Sequence, residues 1–325
     1  MSDLYHIPHD DGKTYRLKKF VEYQHFAPSV DCRFLGEWIK KYNIPKGKAV
    51  DMIWYHSVAY NEITAILLSE LHGSPEEIWG KYKAKLNFGS GRAKAKNMDW
   101  FVPLMYGWYR TTHGIPFEWL LSLKGRSPEE TYNNIINGLC KIKYVGHFAA
   151  YQFVDSVDYL SDWFPIDVKG SSVLDWNHCS NMTSGLYNIL YEDEKANEFD
   201  RKHVVSPEDR ERLGREVLRI QEEIRKTYPE QDSDISVFIG KVCSYRNLFK
   251  GARYGGFHHD RQLGVIREYE KSFPEFGSLW EKCYELRREI FPQNMLGELN
   301  GWDGIRNERK KLWLQQGLTG VEKGI

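Results

Sequence analysis

The sequence predicts a mainly α-helical protein, and three observations support this prediction. Apolar residues recur at helical spacing over long stretches, and strand-like alternation of apolar and polar residues is scarce. The start signal Ser-Pro followed by two acidic residues occurs three times, at Ser74, Ser127 and Ser206. Serine caps the first N–H groups of a helix, proline fits its first position, and acids there favour the helix dipole.

The helices can be placed in order along the chain. The first is predicted in "VDCRFLGEWIKKYN", because helical spacing places its apolar residues on one face: Val30, Phe34, Leu35, Trp38 and Ile39. A long apolar helix follows in "AVDMIWYHSVAYNEITAILLSELHG" and ends at Gly73. The Ser-Pro signals then begin further helices. Because the charged stretch Glu192–Ser206 lacks periodicity, we divide the chain into a helical core over 1–200 and a C-terminal helical region over 201–325, packed on that core.

Composition narrows the possible functions. Lys+Arg and Asp+Glu balance at 45 each, so a nucleic-acid site must be a local patch. The five cysteines are scattered and form no C-x-x-C motif, which indicates reduced thiols in a cytoplasmic protein. The first residues are polar, and no apolar run approaches the roughly 20 residues of a membrane span. We therefore expect no membrane partner.

The stretch "KIKYVGHFAAYQFVDSVDYLSDWFPIDV", residues 141–168, resembles the helix-hairpin-helix of DNA glycosylases, with matches at Val145, Gly146 and Ala150. That motif is written L-P-G-V-G-x-K-x-A, with a catalytic aspartate about twenty residues further on. Gly146 would let the backbone approach a phosphate at a helix start, and Lys143 would add charge beside it. Asp167 falls within a residue of the expected aspartate and would face a flipped base.

Two residues depart from this pattern. Tyr144 stands at the first hairpin glycine, and Phe148 at the lysine that forms an imine in some glycosylases, so an imine-forming lyase is not expected. An alternative interpretation stays open, in which Gly146 ends a helix at a close crossing and Asp167 caps the next element.

Two glycine-rich basic segments are candidates for phosphate contact. The first, "NFGSGRAKAKNMDW", carries Arg92 and Lys94, and the second, "CSYRNLFKGARYGGFHHDR", carries Arg246, Lys250 and Arg253. Backbone donors combined with cations suit phosphate oxygens, although no Walker A motif occurs. A solvated surface loop is the alternative for the first segment.

Asp175, in "LDWNHC", is a candidate second pocket carboxylate, with a helix cap as its alternative. The run His258-His259-Asp260 is interpreted as a polar helix start and not as a metal site, because adjacent histidines point in different directions. No metal site is predicted.

Taken together, these segments resemble a bacteriophage family, the alpha-glutamyl/putrescinyl thymine pyrophosphorylases or amino acid:DNA transferases. The resemblance rests on "YVGHFAAYQFVDSVDYL", "CSYRNLFKGARYGG" and "GWDGIRNERKKLWL", and spans the chain from the first long helix onward. It implies a helix-hairpin-helix, DNA-glycosylase-like fold with additional C-terminal helices. It also implies double-stranded DNA whose 5-hydroxymethyluracil has been pyrophosphorylated by a partner kinase.

The resemblance implies a reaction as well. An amino acid or polyamine displaces the pyrophosphate and leaves a hypermodified thymine, in the cytoplasm of an infected bacterial host. Cations would stabilise the departing pyrophosphate, and the candidates are Arg246, Lys250 and Arg253, or Arg92 and Lys94. Asp167 is the first candidate for the base that deprotonates the amine, and Asp175 the second.

No motif indicates a cofactor, and a divalent cation bound with the pyrophosphate stays open. Two other functions also stay open: a DNA glycosylase that hydrolyses a modified base, and a non-catalytic helical module for DNA binding or assembly.

Overall fold

The structure, a computed structural model, describes residues 30–89, 95, 97–168, 208, 215, 222, 226, 257–291 and 296. The prediction of a mainly helical protein is confirmed, and no strand occurs among these residues. None of the described helices has both the length and the apolar character to cross a membrane. The helices are α1 (Val30–Lys41), α2 (Lys46–Ala59), α3 (Glu62–Glu70), α4 (Pro75–Tyr82), α5 (Met98–Thr112), α6 (Pro116–Ser122), α7 (Pro128–Cys140), α8 (His147–Tyr159), α9 (Phe257–Ser272) and α10 (Gly277–Ile290).

The chain divides into two compact units. One comprises Asp31–Ser172 and Val265–Ile290, and the other comprises Met1–Val30, Val173–Gly264 and Phe291–Ile325. The first unit contains most of the described residues. The division into 1–200 and 201–325 stays a prediction.

Two of the predicted helix starts are confirmed in detail. Ser74 forms a capping box with Glu77, and the Ser127 hydroxyl accepts a hydrogen bond of 3.1 Å from the Glu130 backbone N–H. Ser206 lies outside the described residues. Four residues beyond it are helical, and among them Lys226 pairs with Glu222 at 2.8 Å.

The prediction of one long helix from Ala49 to Gly73 is wrong. Tyr60 adopts a left-handed backbone conformation with φ 55°, which ends α2. The side chain of Asn61 then accepts a hydrogen bond of 3.0 Å from the Thr64 N–H and caps α3. Apolar periodicity continued through this turn and hid it, although asparagine before an acidic residue is a helix-start signal.

An aromatic cluster joins four helices of the first unit. The rings of Trp54 in α2 and Trp108 in α5 stack almost parallel, with centroids 4.7 Å apart. Trp119 of α6 and Phe153 of α8 pack around Trp108 at 5.2 and 5.8 Å. Such pairs contribute beyond their buried area, so this cluster stabilises the packing of α8 on the other helices.

The described C-terminal helices are tied to the first unit by specific hydrogen bonds. The Tyr269 hydroxyl of α9 lies 2.7 Å from the Thr64 hydroxyl and accepts a bond of 2.6 Å from the Asn87 N–H. From α10, Glu285 pairs with Lys41 at 2.9 Å.

We predict opposite effects of alanine at two helical glycines. A Cβ on Gly36 would lie 2.3 Å from the ring of Tyr159, where α1 crosses the end of α8, whereas a Cβ on Gly80 would meet nothing within 4 Å. Gly36→Ala should lower the free energy of unfolding by roughly 1–3 kcal/mol because the helices must separate. Gly80→Ala should be neutral or stabilise by up to about 1 kcal/mol. Urea denaturation measures both, and a Gly36→Ala variant as stable as Gly80→Ala would contradict this crossing.

Candidate functional site

The candidate site centres on the turn between α7 and α8. The N–H of Ile142 donates to the Leu139 carbonyl at 2.9 Å, and the N–H of Val145 donates to the Ile142 carbonyl at 3.0 Å. Ile142 and Val145 are buried and anchor the turn, while Lys143 and Gly146 are exposed. The structure therefore brings these two predicted site residues together on one surface. We call residues 141–146 the hairpin turn.

Tyr144 explains how this turn forms without the first glycine of the motif. Its φ is 73°, in the left-handed region that glycine adopts most easily. Its ring packs against Trp100 with centroids 5.7 Å apart, and the Lys143 ammonium lies 4.9 Å from the ring centre. These contacts offset a backbone cost of about 1–2 kcal/mol. The backbone conformation expected of a glycine is thus present at a tyrosine.

Gly146 begins α8, and the interpretation that it ends a helix at a close crossing is wrong. Its φ is −97°, which any residue can adopt, and an added Cβ would meet nothing within 4 Å. Neither packing nor backbone geometry therefore requires glycine at this position. The place where a side chain at this position would begin is open space.

The start of α8 carries a positive electrostatic character. Gly146 supplies no side-chain cap, and the first turn of α8 contains no acidic residue. By contrast, α3, α4, α5 and α7 all begin with a capping side chain. Residues 131–154 include no Asp or Glu, whereas Lys141 and Lys143 are exposed beside the turn. Helix dipole and lysines therefore act in the same direction, toward an anion.

Asp167 lies on the segment that follows α8. Its side chain is exposed between the buried Ile166 and Val168. Earlier in this segment Phe164 packs on Phe117 of α6, with ring centroids 6.0 Å apart. In α6, Trp119 also contacts Phe153 in the middle of α8, with ring centroids 6.3 Å apart. Asp167 is therefore an accessible carboxylate held by buried neighbours.

The other predicted site residues, Arg92, Lys94, Asp175, Arg246, Lys250 and Arg253, lie outside the described residues. Both flanks of the first basic segment do contact the elements around the hairpin turn. The N–H of Gly89 donates to the Ala59 carbonyl at 3.0 Å, next to Tyr60, whose ring lies 5.4 Å from that of Phe148. At the other flank, Trp100 packs on Tyr144.

Sequence reasoning missed a buried polar cluster at the C-terminal half of α8. The Cys32 thiol of α1 donates to Asp155 of α8 at 3.3 Å, and Nδ1 of His56 in α2 lies 3.2 Å from the Ser156 hydroxyl. Burial, and then the Asp155 carboxylate, raise the pKa of Cys32, so this thiol is not an activated nucleophile. The signal was present in "IWYHSVAYNEITAILL" and "FVDSVDYL", where ionisable residues interrupt apolar runs.

Comparisons of the chain with protein-family models, with curated proteins and with solved structures gave no match. The protein is therefore described by its own fold and surface. It is a helical protein that presents an exposed, basic helix start at the hairpin turn, with an accessible carboxylate on the segment after α8.

Proposed function

We propose that the protein binds double-stranded DNA through the hairpin turn and modifies a thymine-derived base in it. The base is 5-hydroxymethyluracil that carries a pyrophosphate on its hydroxymethyl group, and an amine displaces that pyrophosphate. The observation that carries this proposal is the exposed start of α8, where Gly146 offers no capping side chain and Lys143 is exposed in the same turn.

A DNA phosphate suits this surface for three physical reasons. The first N–H groups of a helix have no carbonyl partner within the helix and can donate to a phosphate oxygen. The helix dipole places partial positive charge at the same point. Lys141 and Lys143 are exposed and can replace counterions along the backbone. Although the chain as a whole has no net charge, these features support a local patch of the kind that DNA binding requires.

The reaction needs a base and a group that stabilises the leaving pyrophosphate. The amine is protonated at neutral pH, so Asp167 accepts one proton and frees the nitrogen lone pair. That nitrogen attacks the exocyclic methylene carbon, a C–N bond forms, and the C–O bond breaks with its electron pair leaving on pyrophosphate. A target base inside a duplex has to be swung out to reach Asp167, at a cost of a few kcal/mol.

The remaining parts of the proposal rest on the resemblance. Arg246, Lys250 and Arg253, or Arg92 and Lys94, would neutralise the pyrophosphate, and Asp175 is the second candidate for the base. The partners would be an amino acid or polyamine donor and a kinase that pyrophosphorylates the DNA base. The setting would be the cytoplasm of an infected bacterium.

Gly146→Ala should lower the affinity for DNA while changing the stability of the fold very little. Because an added methyl group meets no atom within 4 Å, the free energy of unfolding should change by no more than about 0.5 kcal/mol. The methyl group would stand where a phosphate approaches, so affinity for duplex DNA should fall about tenfold, equivalent to one charge-assisted hydrogen bond of about 1.5 kcal/mol. Fluorescence anisotropy with labelled duplex gives the affinity. Unchanged affinity would remove Gly146 from the contact surface.

Lys143→Ala should weaken DNA binding because it removes one exposed positive charge. If Lys143 contacts one phosphate, the slope of log affinity against log salt concentration should decrease by about 0.9. Lys124→Ala is the matched control, because Lys124 is also exposed but lies on the connection between α6 and α7. Equal slopes for wild type and Lys143→Ala would show that Lys143 contacts no phosphate.

Asp167→Asn should abolish transfer and leave DNA affinity within about twofold, because the amide cannot accept the proton of the amine. The assay incubates pyrophosphorylated 5-hydroxymethyluracil DNA with labelled amino acids and polyamines, and measures both released pyrophosphate and label on the DNA. Asp162→Asn is the control, since Asp162 is an exposed aspartate on the same segment. Full transfer by Asp167→Asn would exclude it as the base.

The wild-type protein decides the function in the same assay. Label on the DNA together with pyrophosphate release supports the proposal. Abasic sites without label would instead identify a glycosylase. Binding without either product would identify a non-catalytic DNA-binding module.

A further inference from the structure

We propose that a divalent transition-metal ion binds between Asp31, His56 and Glu62. Each residue offers one ligand atom, and these atoms all lie within 4.8 Å of one another. They come from the first turn of α1, the last turn of α2 and the first residue of α3. This site goes beyond the proposed DNA chemistry and does not depend on it.

The spacing of the three ligand atoms suits one ion. Metal–ligand bonds of about 2.1 Å place two atoms on the same ion about 3 to 4.2 Å apart. Atoms that already lie within 4.8 Å of one another reach that range through small side-chain rotations. His56 is fully buried and Glu62 is 4% exposed, so the surrounding helices hold both groups in place.

Hydrogen bonds around His56 orient its ring for metal binding. The Ser156 hydroxyl donates its proton to the Gln152 carbonyl at 3.2 Å. Its oxygen lies 3.2 Å from Nδ1 of His56 and can accept a hydrogen bond from that nitrogen. In the tautomer that donates from Nδ1, a neutral ring carries its lone pair on Nε2. A histidine ligand whose other nitrogen donates to a fixed acceptor is the usual arrangement at protein metal sites.

The charges of the region also favour a cation. The carboxylates of Asp31 and Glu62 repel each other at this distance in a buried environment. Asp155 adds a third carboxylate next to Cys32. Arg287, which is 2% exposed, lies in the same region. Burial raises the pKa of the Cys283 thiol, and the nearby Arg287 guanidinium lowers that pKa while the Glu62 carboxylate raises it. Two carboxylates this close to one another favour a cation between them.

The ligand set indicates the kind of metal. Imidazole suits zinc and iron, whereas carboxylates suit manganese and other hard cations, so the mixed set fits Mn²⁺, Fe²⁺ or Zn²⁺. Three protein ligands leave positions for water, and the ion would link the N-termini of α1 and α3 to the end of α2.

Metal uptake by the full-length protein tests the site. The protein is stripped with EDTA, dialysed, and titrated with Mn²⁺, Zn²⁺ and Co²⁺. We expect one bound equivalent by elemental analysis, a Tm higher by several degrees, and visible Co²⁺ absorption bands typical of nitrogen and oxygen ligands. A wild-type protein that binds no equivalent and shows no shift in Tm would overturn the proposal, and Arg287 would then be the group that neutralises Glu62.

Near-isosteric variants place the metal at these residues. Asp31→Asn and His56→Gln should each weaken Zn²⁺ binding at least tenfold, measured by competition with a chromogenic chelator. His72→Gln, which changes an exposed histidine, is the control and should bind as the wild type does. Asp31 is only partly buried, so its variant is expected to fold even if His56→Gln does not. Equal binding by Asp31→Asn and wild type would overturn the assignment.

Discussion

The position of α8 depends on its buried polar contacts with α1 and α2. Asp155 accepts from Cys32, Ser156 contacts His56, and the ring of Tyr159 covers Gly36. Losing one partner of such a buried pair leaves a polar group unsatisfied, at a cost of about 1–3 kcal/mol. Apolar packing alone would let α8 rotate or slide among similar arrangements, whereas these hydrogen bonds are satisfied in one register. Contacts in the C-terminal half of α8 therefore hold in place the helix that begins at the hairpin turn.

This anchoring leaves the other end of α8 available for binding. Its first turn has no side-chain cap and no acid, and it faces outward beside two exposed lysines. A rigid helix with an open start can hold a phosphate without ordering a loop, so little conformational entropy is lost on binding. The proposed metal would lie along the same network, because Ser156 orients His56. The same contacts of α8 thus hold the helix that carries the proposed DNA-binding turn and orient a ligand of the proposed metal.

Local signals in the sequence predicted much of this fold. The apolar stripe of α1 and the caps at Ser74 and Ser127 are determined by neighbouring residues, so spacing alone located them. The break at Tyr60 was missed, because apolar periodicity runs across it and only Asn61 marks it. Lys143 and Gly146 stay predicted site residues, and the structure places both of them, exposed, in one turn. The cluster of Asp31, His56 and Glu62 was not predicted, because it forms only when three helices pack and no fixed spacing links its members.

The central claim is that the hairpin turn is where DNA binds. Amide hydrogen exchange, followed by mass spectrometry with and without a duplex containing 5-hydroxymethyluracil, tests it directly. The account predicts slower exchange in the peptide that spans residues 141–150, because the first N–H groups of α8 gain phosphate acceptors and lose contact with water. Peptides from α4 should exchange at the same rate in both samples. Unchanged exchange at residues 141–150, with protection elsewhere in the chain, would contradict the account.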